Sequence, residues 1–410
     1  MRILCFVHAF RQPDAPGRSR PYQLARHWAR AGHLVTVLAS GDVGASGRAL
    51  AATRLVARED VDGVRVLRVW TSGSLPGDRV RPRLDAATFG LTATLTSFFR
   101  GASPDLVYAA LPPWTTGTAA LAAAASRRLP LVLEVRDPQT ALQGVARRLL
   151  ARGLLSRAST VVTTSQDEVD VVRQLSARDR APLVVPDGLD DWMLEAGEVA
   201  LRETPGPLRL VCCGPFGEGS GVGQVVDAAI LLGADAPVEF LFIGGGAEAE
   251  ALERRAARHH PAPCRFVPLI AKTELFEQLR RAGAGVVSVA GRAASARPIP
   301  AAVYDVMAAG RPLLVVADGE SARLVRDAGC GRVVPPGRPS LLADAVRGLA
   351  TLREDERRTL GASGRRYLID GRSYRDRAWQ LLRLFEELTG KAADDRSGAA
   401  VPRLVEQNRT

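Results

Sequence analysis

Short apolar runs alternate with longer amphipathic stretches along most of this chain. The short runs predict buried strands, at Arg2–His8, Leu34–Ala39, Val64–Trp70, Leu106–Ala110, Leu131–Val135, Thr160–Thr164, Leu208–Cys213, Val238–Ile243, Cys264–Val267, Gly285–Val289, Leu313–Val316 and Gly331–Val334. Between them, apolar residues recur at helical spacing, as in Arg18–Ala31 and Thr115–Arg128. Strands that alternate with helices need crossover connections, so the pattern predicts parallel sheets.

A polar stretch divides the predicted strands into two sets. Residues 195–207 contain Gly197, Gly206 and two prolines, which is typical of a linker. We therefore predict an α/β protein with a first domain at 1–194, a linker at 195–207 and a second domain at 208–370. A C-terminal helix at 371–390 is expected to pack back on the first domain, and the polar residues 391–410 are expected to be a disordered tail. Both domains should be Rossmann-like, doubly wound parallel sheets that face a central cleft and bind ligands at the carboxyl ends of their strands.

Length and composition agree with this division. A chain of 410 residues with 46% hydrophobic content fits two α/β domains. No apolar run reaches the roughly 18 residues that a membrane span needs, and the start, MRILCFVHAF, has no cleavage site of a signal peptide, so we expect a cytoplasmic protein. The five cysteines lie mostly in apolar contexts without metal-ligand spacing, which predicts buried free thiols.

The charge is strongly basic. The formal net charge of +11 comes almost wholly from arginine, because lysine occurs only at Lys272 and Lys391. Such a balance attracts anionic substrates, or an anionic membrane at its inner face through peripheral contact. Arg79, Arg81 and Arg83 alternate around a proline and suggest an exposed loop. No aromatic platform accompanies these charges, so nucleic-acid binding is not predicted.

The second half contains three segments that suit an anionic ligand. Gly214–Gly221, with Phe216 and Gly217, follows a strand and opens a helix, so its backbone N–H groups can cradle a phosphate; a merely tight strand-to-helix turn is the alternative. Gly244 and Gly245 end the next strand. A later helix begins at Gly319 and carries Glu320 and Ser321 in its first turn, beside N–H groups that can hold a phosphate or a sugar hydroxyl.

Several longer segments occur in the order of a known family. They are GRSRPYQLARHWARAGHLVTVLAS, DGVRVLRVW, PDLVYAALPPWTTG, LVLEVRDPQT, VVTTS, VVPDGLD, FIGGGAEAEALERRA and PAAVYDVMAAGRP. Together they resemble the retaining family 4 glycosyltransferases of GT-B fold. Within that family, EVRDPQT and PAAVYDVMAAGRP are similar to segments of the bacterial O-antigen N-acetylfucosamine transferases.

The resemblance implies an activity. A retaining enzyme of this kind transfers a hexosyl or N-acetylhexosaminyl group from a nucleotide sugar, and a UDP- or GDP-sugar is favoured here. The acceptor is a small molecule, such as a secondary metabolite, or a lipid-linked compound. No cofactor other than this co-substrate is expected, and no metal, because no His, Asp and Glu cluster has ligand spacing. Two alternatives stay open: an auxiliary GT-B protein that only binds a ligand or partner, and a related nucleotide-sugar enzyme such as a hydrolysing epimerase.

The resemblance also assigns donor-site residues. Asp305 stands where the family's acidic residue binds the nucleotide ribose, with Pro300 and Tyr304 beside it; the alternative is a solvated helix residue. Relatives have cationic residues near the positions of Glu218, Ser220 and Ala302, and a Glu where this chain has Arg297. We therefore expect Arg292 and Arg297 to neutralise the diphosphate, unless both are ordinary solvated arginines.

The first half has the remaining candidates. Arg136 and Asp137 replace the His-Asp pair of many relatives. Arginine cannot act as a base, so we expect Arg136 to hold a sugar hydroxyl or phosphate oxygen, with Asp137 orienting the guanidinium. The alternative is an internal salt bridge between Arg136 and Asp137 without substrate contact. His8 follows the first strand and is either an acid-base group or a structural residue. The acceptor residues that we expect from the resemblance are Gly17, Arg18, Arg20 and Trp114.

Overall fold

The computed structural model describes residues 1–11, 20–41, 55–73, 81–100, 103–176, 180–196, 206–217, 220–259, 261–289, 299–369 and 371–391. Their contacts divide into two compact units. Unit 1 contains the described residues up to Gly188 and those from Tyr374 onward, and unit 2 contains Leu189–Ser373.

Strands and helices alternate through most of the described chain. The strands are β1 (Arg2–Val7), β2 (Leu34–Ser40), β3 (Val56–Val61), β4 (Val64–Val69), β5 (Leu106–Leu111), β6 (Leu131–Val135), β7 (Thr160–Thr163), β8 (Leu183–Val184), β9 (Leu208–Pro215), β10 (Val238–Gly245), β11 (Cys264–Val267), β12 (Ala284–Ser288), β13 (Leu313–Val316) and β14 (Gly331–Val334). The helices are α1 (Arg20–Arg30), α2 (Arg81–Arg100), α3 (Trp114–Arg127), α4 (Val145–Arg157), α5 (Gln166–Leu175), α6 (Asp191–Glu195), α7 (Val222–Leu232), α8 (Ala249–Arg258), α9 (Lys272–Arg281), α10 (Ala301–Ala308), α11 (Gly319–Ala328), α12 (Pro339–Ala350), α13 (Glu354–Ile369) and α14 (Tyr374–Thr389), with a short 3-10 helix at Pro138–Leu142. Within the described ranges, no helix is both long and apolar enough to cross a membrane.

Among the described residues, the sheet of unit 1 has eight strands in the order β3-β4-β2-β1-β5-β6-β7-β8. All neighbours are parallel except β3 and β4, which form an antiparallel hairpin. Its turn is Asp62-Gly63, and both residues have positive φ, as a two-residue hairpin turn of this kind requires. The sequence analysis did not predict β3, although the Asp-Gly pair between alternating apolar residues is a strong hairpin signal.

Helices cover both faces of this sheet. One face carries α2, α3 and α4, whose apolar residues form a single core with the strands. The other carries α1 and α14, which pack together. There the rings of Trp28, Tyr108 and Phe385 meet edge to face, with centroids 5.1 to 6.2 Å apart. Helix α14, the last in the described part of the chain, therefore completes the core of the unit that contains β1.

One loop expectation was wrong. Arg81 and Arg83 do not lie in a loop, because α2 begins at Arg81 and both side chains are exposed in its first turn. Pro82 fits this position, since the first turn of a helix has no intrahelical partner for the missing N–H. Arg79 lies outside the described residues.

Unit 2 has a six-stranded, fully parallel sheet in the order β11-β10-β9-β12-β13-β14. This is the order of a Rossmann fold, with the topological switch between β9 and β12. Apolar residues form a core on each face of the sheet.

The boundary between the two units does not lie after residue 194, where the sequence analysis expected it. It falls at Leu189, because Leu189 and Met193 of the α6 segment pack into a core of unit 2. Arg365 holds this segment through hydrogen bonds to the carbonyl oxygens of Met193 and Leu194, at 3.2 and 3.0 Å. Residues 197–205 of the expected linker lie outside the described residues.

The cysteines are free, as the sequence predicts. Cys5, Cys212 and Cys330 are buried, whereas Cys213 and Cys264 are only half-buried. Burial raises the pKa of the Cys212 thiol to about 12, so it is a packing group and not a reactive thiolate.

Candidate functional site

The candidate site of unit 2 lies at the carboxyl edge of its sheet. The glycines at the ends of β9 and β10 lie along this edge, together with the starts of α10 and α11, because the strands that lead to them are neighbours in the sheet. Open parallel sheets bind ligands at such an edge, next to the topological switch point.

Two glycine turns interlock there. Gly214 has φ 141° and pairs with Gly244 across the parallel strands. A Cβ on Gly244 would lie 2.0 Å from the Gly214 oxygen, and one on Gly246 would lie 2.4 Å from the Phe216 oxygen. The Phe216 N–H donates to the Gly245 oxygen at 2.8 Å, which ties the two loops together. Close backbone approach thus requires glycine at 244 and 246, and the positive φ requires it at 214.

Phe216 has a different place from the one expected of a donor-binding side chain. Its ring is buried, 1% exposed, and meets Phe242 edge to face at 6.4 Å. Only its backbone is at the edge, so it anchors the turn, while the neighbouring Gly217 is half-buried. A phosphate at this turn would meet backbone N–H groups and no phenyl face.

Asp305 lies on α10 and is 7% exposed. Its Oδ1 is 3.7 Å from the Lys272 Nζ, and the same Nζ donates to the Asp190 Oδ2 at 2.6 Å. Burial, and after it the charge of Asp305, raises the pKa of the Cys213 thiol at the end of β9. Asp305 is therefore a buried, ion-paired carboxylate at the sheet edge, and the alternative of a solvated helix residue is wrong.

The sequence analysis did not identify the partners of Asp305. It gave neither Asp190 nor Lys272 a role in the site, yet Asp190 has a fully buried side chain and Lys272 one that is 12% exposed. The sequence did contain a signal that Lys272 has acidic partners. Lys272 begins α9, and a cation at a helix N-terminus opposes the helix dipole unless acidic groups compensate.

The other donor candidates occupy the starts of two neighbouring helices. Pro300 is the N-cap of α10, and Tyr304 is buried, 6% exposed. Gly319 opens α11 with φ 67°, Ser321 is buried and Glu320 is half-buried. The first-turn N–H groups of α11 lie at the end of β13, beside the α10 helix that follows β12.

A glutamine that the sequence analysis missed joins three loops at the switch point. Gln224 Nε2 donates to Ser288 Oγ at 2.8 Å, and Gln224 Oε1 accepts from the Gly337 N–H at 2.8 Å. Ser288 Oγ in turn donates to the Gly221 oxygen at 2.9 Å. This network holds the ends of β12 and β14 against the first turn of α7.

Several predicted residues lie outside the described chain. They are Gly17, Arg18, Glu218, Arg292 and Arg297. The hypothesis that Arg292 and Arg297 replace the family's cations therefore stays a prediction. Ser220 is described and half-buried.

In unit 1, Arg136 follows β6 and pairs with Asp187, with Nη2 to Oδ2 at 2.6 Å. The expected partner Asp137 instead adopts φ 50° and donates its N–H to Glu168 Oε1 at 3.0 Å. The orienting carboxylate is thus Asp187, and the Arg136-Asp137 salt bridge that we considered is wrong. Burial alone would lower the pKa of Arg136, but the charge of Asp187, together with smaller contributions from Glu134 and Tyr374, raises the pKa overall, so the guanidinium stays charged.

Arg20 supports this pair from inside the unit. It is 0% exposed and binds Glu134 through Nε and Nη2, at 3.0 and 2.9 Å. Its Nη1 donates to Asp187 Oδ1 at 3.2 Å, so Asp187 joins both arginines. Tyr108 donates to Glu134 at 2.8 Å. Arg20 uses its donors in this network and has no exposed surface. It is therefore a positioning residue, and the direct contact with the acceptor substrate that we expected does not fit this geometry.

His8 lies just past β1 and contacts the Asp85 carboxylate, with Nε2 to Oδ2 at 2.7 Å. Its ring also meets Phe89 edge to face at 5.0 Å. Burial alone would raise the pKa of Asp85, but hydrogen bonds from His8 and Thr71 lower it below its usual value.

Trp114 is buried, 7% exposed, and its Nε1 donates to Thr140 at 3.3 Å. The predicted side chains of His8 and Trp114 are therefore both held by unit 1 itself.

Within the described ranges, no group of three or more His, Cys, Asp or Glu side chains has an arrangement that could hold a metal ion.

Comparisons with known proteins cover both halves. A family model described as a glycosyl transferase 4-like domain matches residues 17–188, and one described as glycosyl transferases group 1 matches residues 207–351. No curated protein matches the chain by sequence.

Solved structures match over almost the whole chain. Sucrose-phosphate synthase from Thermosynechococcus elongatus has a TM-score of 0.75 at 18% identity, covering 95% of this chain and 100% of that one. HepE of Anabaena in complex with UDP-glucose has a TM-score of 0.70 at 14% identity, with 95% and 100% covered. A glycosyltransferase from Rickettsia africae has a TM-score of 0.66 at 12% identity, with 95% and 99% covered. At these identities the likeness establishes the fold.

Proposed function

Because the chain belongs to the glycosyltransferases of GT-B fold, with a glycosyl transferase 4-like first half and a group 1 second half, we propose that it transfers a glycosyl group from a nucleotide sugar to an acceptor. The observation that carries this proposal is the match of both family models, 17–188 and 207–351, in the order in which the two units occur. A small-molecule acceptor, such as a secondary metabolite, or a lipid-linked one fits the proposal.

The donor would bind unit 2. Asp305 is an acceptor-only group at the carboxyl edge of the sheet, which suits the two ribose hydroxyls of a nucleotide. The Lys272 ammonium, 3.7 Å away, compensates the charge of this carboxylate. HepE, with the same fold, was solved in complexes with UDP-glucose and with UDP, and we propose a UDP-sugar first and a GDP-sugar second.

The diphosphate would meet backbone N–H groups. The turn after β9 and the first turn of α11, from Gly319 to Ser321, present such groups at the sheet edge. Preorganised N–H dipoles stabilise the charge that develops on a leaving diphosphate as the glycosidic bond breaks. We propose that the reaction retains configuration through front-face attack and needs no added metal ion, with Arg292 and Arg297 as additional cations.

In unit 1, Arg136 would hold a substrate oxygen. Its side chain is 11% exposed, and its guanidinium is oriented by Asp187, which Arg20 also binds. A planar guanidinium held on one side can donate to a hydroxyl or phosphate oxygen on the other. His8, paired with Asp85, is the titratable group at the end of β1 that would assist proton transfer from the acceptor.

Nucleotide binding tests the donor assignment. UDP, GDP, dTDP and ADP are compared by thermal shift and calorimetry, since a ligand at about 100 times its Kd stabilises the fold by about 2.7 kcal/mol. Asp305→Asn should weaken UDP binding roughly 10- to 100-fold, the equivalent of one lost charge-assisted hydrogen bond. The matched control is Asp344→Asn, an exposed aspartate of α12 in the same unit.

Wild-type affinity in Asp305→Asn would refute the ribose assignment. Failure of every nucleotide to bind would favour the auxiliary binding protein instead. Retention is tested by the anomeric configuration of the product in NMR, and metal independence by activity in EDTA with back-addition of Mg²⁺.

A further inference from the structure

The outward face of α2 has the wrong polarity for a solvated helix. Its exposed positions include Leu84, Ala87, Leu91, Leu95 and Phe98, which follow one another at steps of three or four residues and so form one stripe. Leu91 is 63% exposed and Leu95 50%. Isolated exposed leucines are normal on a protein surface, but a continuous stripe about 20 Å long is not. Phe99, next to the stripe, is 84% exposed.

Polar residues of α2 instead point inward. Asp85, Thr96 and Ser97 are buried, at 3%, 7% and 1% exposure, and Asp85 is used by His8. Apolar side chains therefore lie on both sides of α2, because Phe89 and Ala93 pack in the core of unit 1 while the stripe lies outside that core.

The neighbouring helices add positive charge. Both α2 and α4 pack on α3, on the same face of the sheet. On the exposed side of α4, Val145 and Leu149 are 76% and 64% exposed, with Arg148 and Arg152 exposed between and beyond them. At the end of α3, the guanidinium of Arg127 lies 5.2 Å above the Phe98 ring. We call the exposed residues of α2 and α4 named here the α2–α4 surface.

Acidic residues are missing from this surface. Helices α3 and α4 contain no aspartate or glutamate, and the only one in α2 is the buried Asp85. Exposed apolar side chains flanked by arginines, without acidic residues, are the composition of an interfacial membrane-binding surface.

We propose that the α2–α4 surface binds an anionic lipid bilayer. Leucine and phenylalanine side chains of α2 enter the headgroup and acyl boundary, while Arg148 and Arg152 contact lipid phosphates. A second copy of this chain fits less well, because an isologous contact would bring the same arginines against one another. The proposal does not depend on the proposed glycosyl transfer.

Vesicle co-sedimentation of the full chain tests it. The probes are phosphatidylcholine vesicles with and without phosphatidylglycerol. Wild type should bind the anionic vesicles, more weakly as salt rises, and the neutral ones far less. Leu91→Gln/Leu95→Gln should lower the partition coefficient roughly tenfold or more. Arg148→Gln/Arg152→Gln should lower it by roughly fivefold per arginine and flatten the salt dependence.

The matched control is Leu231→Gln/Leu341→Gln, which removes similarly exposed leucines from unit 2, at 51% and 46% exposure, and should bind as wild type does. Circular dichroism and UDP thermal shift, measured on every variant, separate lost folding or nucleotide binding from lost lipid binding. Absence of wild-type binding to anionic vesicles, equal binding to neutral ones, or undiminished binding by the leucine variant would each overturn the proposal. A wild-type protein that binds no vesicles, but forms a dimer in sedimentation velocity that is lost in the leucine variant, would also overturn the proposal.

Discussion

At the residue scale, one ammonium group joins two carboxylates in unit 2. Lys272 lies 2.6 Å from Asp190 and 3.7 Å from Asp305, and both acids are almost fully buried. Buried charges cost several kcal/mol each unless they are paired. The ammonium therefore offsets part of the cost of burying both carboxylates.

The chain contains two lysines, and they provide a matched comparison. Lys272→Met leaves two buried carboxylates without their cation and should lower the free energy of unfolding by roughly 3 to 5 kcal/mol and weaken UDP binding. Lys391→Met removes an ion pair with Asp105 in which the lysine is 55% exposed, so it should cost less than about 1 kcal/mol. Urea denaturation measures both. Equal losses would show that the Lys272 cluster is an ordinary surface pair.

His33 gives the fold a dependence on pH. Burial, followed by the charge of the Met1 amine 3.0 Å away, lowers its pKa to about 4. The unfolded chain takes up this proton near pH 6.5 and the folded chain does so only near 4, so stability should fall as the pH drops through that window. The slope is roughly 1.4 kcal/mol for each pH unit.

His33→Asn should flatten the slope of unfolding free energy between pH 6.5 and 4, measured by urea titrations at several pH values. His259→Asn, an exposed histidine at the end of α8, is the control and should keep the wild-type slope. An unchanged slope in His33→Asn would mean that other groups cause the acid sensitivity.

At the element scale, the interlocked turns after β9 and β10 decide the form of the candidate phosphate site. Gly244→Ala would place a Cβ 2.0 Å from the Gly214 oxygen, and both atoms belong to strands that cannot separate cheaply. We expect a loss of roughly 1 to 3 kcal/mol or more in unfolding free energy, together with weaker UDP binding. Gly245→Ala is the control, since a Cβ there meets nothing within 4 Å. If calorimetry and urea denaturation do not separate the two variants, the turns are looser than this geometry requires.

The elements themselves were largely predictable. Strands β5, β6 and β13 match the predicted runs to within one residue. Each is an apolar run that a parallel sheet buries on both faces, and such a run is visible in the local sequence. The hairpin strand β3 was missed because it is an edge strand with polar residues such as Arg58, Glu59 and Asp60. The start of α2 was missed because arginines around a proline also suit a loop.

At the scale of the whole molecule, unit 1 is discontinuous in sequence. The chain leaves it after Gly188 and returns at Tyr374, where α14 supplies Leu381, Leu382 and Phe385 to its core. A fragment of residues 189–373 contains all of its own core and should fold and melt cooperatively. A fragment of residues 1–188 lacks the ring of Phe385 that meets Trp28 and should not.

Circular dichroism melts check this prediction, with Phe385→Ala in the full chain as an independent measurement. Removing a fully buried phenyl group should cost roughly 3 to 5 kcal/mol. A cooperative melt of the 1–188 fragment would contradict the role given to α14.

The sequence by itself determined the α/β class, most strand positions and the glycine turns, because each of these depends on neighbouring residues and on local periodicity. Only the tertiary structure decided which charges meet. Arg136 pairs with Asp187, 51 residues away, and Lys272 pairs with Asp190, 82 residues away. Such contacts depend on strand order and register, which bring distant chain segments to one sheet edge and leave no mark in the local sequence. The same holds for α2, whose apolar stripe resembles a core face in sequence and lies on the surface because the sheet packs against its other side.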